Sequence, residues 1–407
     1  MSTRDIPTQN RDPLVEPTSD GLTRAGMPRL AAIDMLRGLM IVLMVLDHVR
    51  DFFGLNTMHD PTDPETSWPL LYLTRWVTHL CAPTFVALAG ASIYLQREAG
   101  KAGSGLTRHL LIRGAWLILL EVTVVSFGFN FGRPFFFLQV IWAIGFGMIG
   151  MSLIARFPAG FVLALGIGIV VLCPWAVTTS KGVEGAGAIA RTLLLAPGFL
   201  PGLPSLAMYP ALPWFGIMCL GFGIAPVFRI ETAKRARVIG ALSVATLGMF
   251  FLLRTLNIFG DPSPWIARSD FSRTTMAFLD VSKYPPSPDY VLITLGLSMF
   301  LFLALEGVKG FIARILLDFG RTPLFTYIAH IYIAHGAMLV LATSIGQPEA
   351  AIDFMAAQTS DAPSGAWGFS LAVVYLAWIA VLACLVPLSR WFADVKRRRR
   401  DWWLSYL

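Results

Sequence analysis

Residues 34–54 read DMLRGLMIVLMVLDHVRDFFG. The run has the length of one bilayer-crossing helix, which needs ~20 mostly apolar residues, yet it carries Asp34, Arg37, Asp47, His48, Arg50 and Asp51. A charged side chain at the bilayer centre costs roughly 2.5 kcal/mol or more, so such groups face a cavity or a partner instead of lipid. At about 100° per residue, Arg37 and His48 fall within about 20° of each other and about 16 Å apart along the axis. Asp34, Asp47 and Asp51 share with them an arc of about 140°, whereas Arg50 points elsewhere. The spacing predicts a helix with one polar stripe turned into a bundle, Arg37 near one end and His48 near the other.

The rest of the chain supplies the bundle. Of 407 residues, 56% are hydrophobic and 14% charged, with mean hydropathy +0.65; a soluble domain carries about 25% charged residues. The pattern predicts an all-α, polytopic membrane bundle of ten helices, near 31–53, 70–95, 107–128, 135–156, 159–178, 208–228, 236–257, 290–308, 321–345 and 366–392. The apolar stretch 190–205 is interrupted by Pro197, Pro201 and Pro204, and reads as a re-entrant or interfacial segment or an eleventh span. Residues 1–27 read as a polar, disordered tail, 28–392 as the transmembrane domain and 393–407 as a basic tail.

Basic residues alternate between loops. With the N-terminus inside, Arg97, Lys101, Arg108, Arg156, Arg229, Lys234, Arg235, Arg237, Lys309, Arg314 and the KRRRR at 396–400 share one side. That is the positive-inside pattern and places both termini in the cytoplasm. The net charge of +7 then reflects topology and contact with membrane lipid, and nucleic acid is excluded as a partner because the cations are scattered over separate loops. Homo-oligomerisation is compatible with this pattern. Cys81, Cys173, Cys219 and Cys384 all fall in expected spans without metal-ligand spacing, which predicts buried reduced thiols.

Candidate chemistry follows the polar residues. Asp51, one turn from His48, has the spacing of a carboxylate that fixes the tautomer of a general base, with Asp47 as a second choice. Arg37 suits a phosphate or carboxylate. Arg75 and His79 stand one turn apart at the start of the second helix, and Glu121 is an intramembrane carboxylate. The stretch SKYPPSPDY (282–290) stiffens a loop that presents Lys283 and Tyr284. His330 and His335, five positions apart, lie about 140° apart on a helix and cannot chelate one metal. Neither a zinc motif, a phosphate loop nor a dinucleotide loop is present, so the sequence predicts no metal and no permanently bound cofactor.

Several stretches carry a family resemblance. The first helix, with Arg37 and then His48 eleven residues on, resembles that of the acyltransferase-3 family. A broader likeness is to bacterial relatives of heparan-α-glucosaminide N-acetyltransferase. It runs through HVRDFFG (48–54), THLCAPTFVALAGAS (78–92), RGAWLILLEVTVVSFG (113–128), QVIWAIG (139–145), YPALPWFGIMCLGF (209–222), LRTLNIFGDPSPW (253–265), VSKYPPS (281–287) and FGRTPLFTYIAHIYIAH (319–335).

The resemblance implies an enzyme of a bacterial inner membrane that takes an acyl group from cytoplasmic acyl-CoA and passes it to a sugar amine or hydroxyl of an envelope glycan. It makes His48 a catalytic candidate, with His59 as an alternative, since the heparan branch places its proposed histidine in the loop after the first helix; the spacing adds Asp51, Asp47 and His79 to the catalytic candidates. Arg37, Asp34 and Arg321 become candidates for the CoA phosphates, and Arg75, Lys283, Tyr284, Glu121 and His330 for the acceptor. A competing expectation is a proton-coupled secondary transporter in which the same buried groups relay protons; a third is a structural subunit whose stripe binds a partner helix.

Overall fold

The computed structural model describes residues 30–55, 60–100, 103–352, 354, 367–399 and 401. They form thirteen helices: α1 (Ala31–Phe53), α2 (Pro69–Glu98), α3 (Ser104–Phe129), α4 (Val140–Ile154), α5 (Ala159–Thr179), α6 (Ala186–Leu194), α7 (Ala211–Arg229), α8 (Thr232–Leu256), α9 (Phe271–Leu279), α10 (Pro288–Glu306), α11 (Gly310–Arg321), α12 (Pro323–Ser344) and α13 (Leu371–Arg398). Among the described residues, eight of these (α2, α3, α5, α7, α8, α10, α12 and α13) are long and apolar enough to cross a membrane.

The charged helix α1 occupies the centre. It packs against α2, α10, α11, α12 and α13, and Met40, Ile41, Val45, Val49 and Phe52 have no solvent exposure. Burial on every side explains how the stripe is tolerated: its polar groups find partners inside the protein instead of lipid. The outer helices show the converse pattern. Phe161, Leu172 and Trp175 on α5, Val244 and Leu252 on α8, and Leu376 and Ile379 on α13 are exposed, as side chains facing hydrocarbon should be.

With no hydrophobic drive between helices in lipid, close backbone approach holds them together. Helices α3 and α4 meet at Gly114 and Gly145. A Cβ built on Gly114 would lie 2.6 Å from the Gly145 carbonyl oxygen, and one on Gly145 would lie 2.7 Å from that of Gly114. Any side chain at either position would force the two helices apart.

All ten expected spans contain a helix, with local differences. The fourth is shorter than its apolar run, because Phe136–Leu138 form strand β1 and α4 begins at Val140. The proline-broken stretch is not a span. It holds α6, then β2 (Gly198–Phe199) and β3 (Ser205–Ala207), in a small sheet of order β1-β3-β2 with β1 parallel and β2 antiparallel to β3. Helix α11, read in the sequence as part of a loop, is amphipathic and buries Ala313, Leu316 and Phe319, packing against α1. Helix α13 continues through the basic run to Arg398, while residues 1–29 lie outside the described residues. Cys81, Cys173 and Cys219 are buried free thiols, but Cys384 is exposed, on the outer face of α13.

Candidate active site

The centre of the site is an imidazole pair. His48 Nδ1 lies 2.7 Å from His330 Nε2, and the two rings stack at 4.9 Å with 13° between their planes. His330 Nδ1 in turn faces the carbonyl oxygen of Thr326 at 3.3 Å. That carbonyl only accepts, so His330 carries its proton on Nδ1 and presents a lone pair on Nε2. His48 must then donate from Nδ1, which leaves Nε2 of His48 with the basic lone pair. Phe129 at 5.2 Å and Tyr327 at 6.4 Å stand edge-on to the His48 ring, so its orientation is fixed by packing as well as by the hydrogen bond. The sequence expectation of Asp51 as the orienting partner is corrected: His330 holds that place, and the Asp51 carboxylate binds Arg50 Nη2 at 2.6 Å with 39% of its side chain exposed.

Beside the pair, Asp47 accepts hydrogen bonds from two arginines. Arg75 Nη1 donates to both its oxygens at 2.8 and 2.7 Å, and Arg50 Nη2 donates to Oδ1 at 3.0 Å. Arg50 is therefore buried within the polar network, contrary to the expectation that it points away from the polar stripe. A backbone turn helps to place this group. In α2, Val77–Leu80 tighten to a 3₁₀ turn, and Arg75 also donates to Thr78 Oγ1 at 3.0 Å. His79 is buried in the same turn; its ring lies edge-on to Tyr290 at 5.6 Å, and its Nδ1 has no partner among the described residues. Among the described residues no hydrogen bond or ring contact joins it to His48.

The loop before α10 adds a cation and a phenol, and the segment before α7 adds a second phenol, Tyr209. Lys283 Nζ sits 5.0 Å from the Tyr284 ring centre, and the Tyr284 and Tyr209 hydroxyls lie 3.4 Å apart. Burial would raise the Tyr284 phenol, but Lys283 and Arg75 together draw it below its ordinary value. Burial and the neighbouring Tyr284 push Tyr209 the other way, well above its ordinary value.

Two cavities approach this core from opposite ends of α1. The first, of about 400 Å³, is lined by Arg37, His109, Arg113, Arg321 and Lys396, and reaches Met44, Leu117, Val140 and Tyr327. Along α1, α3 and α12 the numbering runs from the cations toward His48 and His330, so the cavity has a basic mouth and an apolar throat. At the mouth, Arg37 is held by Asp34 at 3.0 Å and Ser92 at 2.6 Å; Asp34 thus positions Arg37. The second cavity, of about 660 Å³, is lined by Arg50, Gly54, Asp60, Ser67, Trp68 and Phe369, among others. None of the residues lining one cavity lines the other.

Several candidates have other duties or lie elsewhere. Glu121, with no exposure, accepts from the backbone N–H of Gln139 at 2.7 Å on one oxygen and of Trp142 at 3.2 Å on the other. It caps the N-terminus of α4, satisfying donors that lipid leaves without water, and a π turn at Glu121–Val125 brings it there. His335 bridges the carbonyls of Gly128 and Ala351 at 2.7 and 2.6 Å. His59 lies outside the described residues. The sequence reading had missed His109, Arg113 and Lys396 at the basic mouth, and Tyr327 in its throat. The first two had a signal, since they are four apart on one helical face; Lys396 had none, being one cation in a run.

The fold is that of a polytopic membrane protein, with a buried imidazole pair and two separate cavities that share no lining residue. Residues 29–263, more than half of the chain, match the family model described as heparan-alpha-glucosaminide N-acetyltransferase, catalytic. The chain belongs to that family, a family of membrane acetyltransferases. No curated protein matches the chain. The matched segment contains Arg37, Asp47, His48, Arg75 and Glu121, whereas Lys283, Tyr284, Arg321 and His330 come from the part beyond it.

Proposed function

We propose that the protein transfers an acetyl group from acetyl-CoA to a sugar amine or hydroxyl of an envelope glycan, across a bacterial inner membrane with both chain termini in the cytoplasm. The observation that carries this reading is the first cavity. Its Arg37, Arg113, Arg321 and Lys396 suit the phosphates of CoA, and its apolar throat suits a pantetheine arm. It also ends at Tyr327, whose ring is 5.5 Å from that of His330. A volume of about 400 Å³ is within the range of sites that bury small ligands. The positive-inside distribution of Lys and Arg supports a basic mouth on the cytoplasmic side, with the acceptor approaching from the cavity floored by Arg50.

In this mechanism His48 Nε2 takes the proton from the acceptor amine or hydroxyl as that group attacks the thioester carbonyl. The His48 Nδ1–H bond to His330 steadies the imidazolium that forms. Collapse of the tetrahedral intermediate breaks the C–S bond, and the imidazolium returns its proton to the departing CoA thiolate. Asp47, with Arg50 and Arg75, fixes α1 and α2 around the base.

The test is turnover by purified protein in nanodiscs, with acetyl-CoA as donor and both water and glucosamine as acceptors. Wild type should release CoA, and His48→Ala should be slower by about 10²–10⁴-fold. Equal rates in the two would remove His48 as the base. Failure of acetyl-CoA to bind wild type at all would overturn the acetyltransferase reading itself.

A further inference from the structure

Tyr327 is 4% exposed, and its hydroxyl has no hydrogen-bond partner among the described residues. An orphaned buried hydroxyl costs roughly 1–3 kcal/mol, so its retention calls for a role. The imidazole acceptor beside it is taken: His330 Nε2 has one lone pair, and the proton of His48 occupies it.

The position of Tyr327 narrows the role. It lines the throat of the basic-mouthed cavity and touches both imidazoles edge-on, at 6.4 Å from His48 and 5.5 Å from His330. It follows Arg321 by six residues, across the break at Thr322 between α11 and α12, and Arg37, Arg321 and Tyr327 line the same cavity. A CoA thioester with its phosphates at Arg321 and Arg37 would carry its acyl end inward to the throat that Tyr327 lines. Transfer needs two things there: a base for the incoming nucleophile and a donor for the oxygen that becomes negative. The imidazole pair supplies the base, which leaves the donor to another group.

We infer that the Tyr327 hydroxyl is that donor, hydrogen-bonding the thioester carbonyl oxygen and holding the oxyanion of the tetrahedral intermediate. This rests on the acetyl-CoA reading above. As the acceptor nitrogen or oxygen bonds to the carbonyl carbon, its proton passes to His48 Nε2 and the C=O electron pair moves onto oxygen, facing Tyr327 Oη–H. The C=O bond re-forms as the C–S bond breaks, and the CoA thiolate is protonated by His48. The tyrosine keeps its proton throughout. A donor aimed at developing charge in a site shielded from water is worth more than one in solution.

The replacement Tyr327→Phe deletes the hydroxyl and keeps the ring that packs against both histidines. Its kcat should fall by about 10²-fold, the usual consequence of losing one such donor, while KM for acetyl-CoA holds within about 2-fold. A wild-type kcat in Tyr327→Phe overturns the assignment. The second measurement needs no turnover. In the His48→Ala background, infrared difference spectra of carbonyl-¹³C acetyl-CoA report the bound C=O stretch. It should lie lower with the hydroxyl present and move up on adding Tyr327→Phe; an identical frequency refutes the contact. A missing bound band in both proteins would instead refute the acetyl-CoA site, and the donor with it.

Discussion

The contact between Gly114 on α3 and Gly145 on α4 predicts a large effect from one methyl group. In Gly114→Ala the new Cβ meets the Gly145 carbonyl oxygen at 2.6 Å and Ile149 Cγ1 at 2.8 Å. The Ile149 side chain can turn away; the carbonyl is part of a helix backbone and cannot. Moving from 2.6 Å to the 3.4 Å of ordinary contact opens the interface by about 0.8 Å. Overpacking of this kind costs roughly 1–3 kcal/mol. Gly145→Ala meets the mirror obstacle, the Gly114 carbonyl at 2.7 Å. Because one separation of the helices relieves both clashes, the double replacement should cost clearly less than the two single costs added together.

Denaturant or thermal unfolding in detergent reads the effect. Gly168→Ala is the control, since a Cβ there meets nothing within 4 Å and alanine favours a helix by up to ~1 kcal/mol. CoA affinity should weaken in the α3 and α4 variants, whose helices carry Arg113 and Val140 on the cavity wall. Unchanged stability in both single variants, or strictly additive costs in the double, would refute the reasoning.

Three further outcomes follow from the site and its supports. His330→Ala removes the acceptor that fixes the His48 tautomer, so kcat should fall by about 10²–10⁴-fold with little change in KM; His330→Gln, whose amide oxygen accepts, should recover part of the loss. Glu121→Ala strands the Gln139 and Trp142 N–H groups, and at roughly 1–3 kcal/mol each it should lower unfolding stability more than Glu121→Gln, which keeps one acceptor oxygen. Asp280, in the loop after α9, is pushed up to about 7 by burial and by Asp60 and Asp261. Between its ordinary value and 7 the folded state holds a proton that the unfolded chain has lost, so its stabilisation is full at low pH and disappears as pH rises past 7. Asp280→Asn should flatten that decline in a pH series of unfolding curves; an equally steep decline would refute it.

Periodicity and charge made the bundle legible, because hydrocarbon imposes both length and polarity on a spanning helix. The same rules placed Arg37 and His48 on one inward face. What the sequence withheld is tertiary. The partner of His48 sits 282 positions away on α12, and local spacing favoured Asp51 only because helical neighbours are the pairs a sequence can display. Arg50 misled for a related reason: a wheel gives the direction of Cβ, while a long guanidinium stem can curl back to Asp47. Glu121 carried the signal of an intramembrane carboxylate, but only the geometry revealed that strand β1 returns Gln139 and α4 to it. The amphipathic α11 was readable in principle and was passed over because its length falls short of a span.

The two cavities that stop short of each other have an electrical consequence. Filled with water, such recesses would carry the potential of their own compartments inward, and a membrane voltage would drop mainly over the protein between them. Asp47, His48, Arg50 and Arg75 would then lie in that field, where moving one unit charge across 100 mV is worth about 2.3 kcal/mol. A proton that reached His48 from one compartment and left toward the other would make turnover sensitive to the energisation of the membrane.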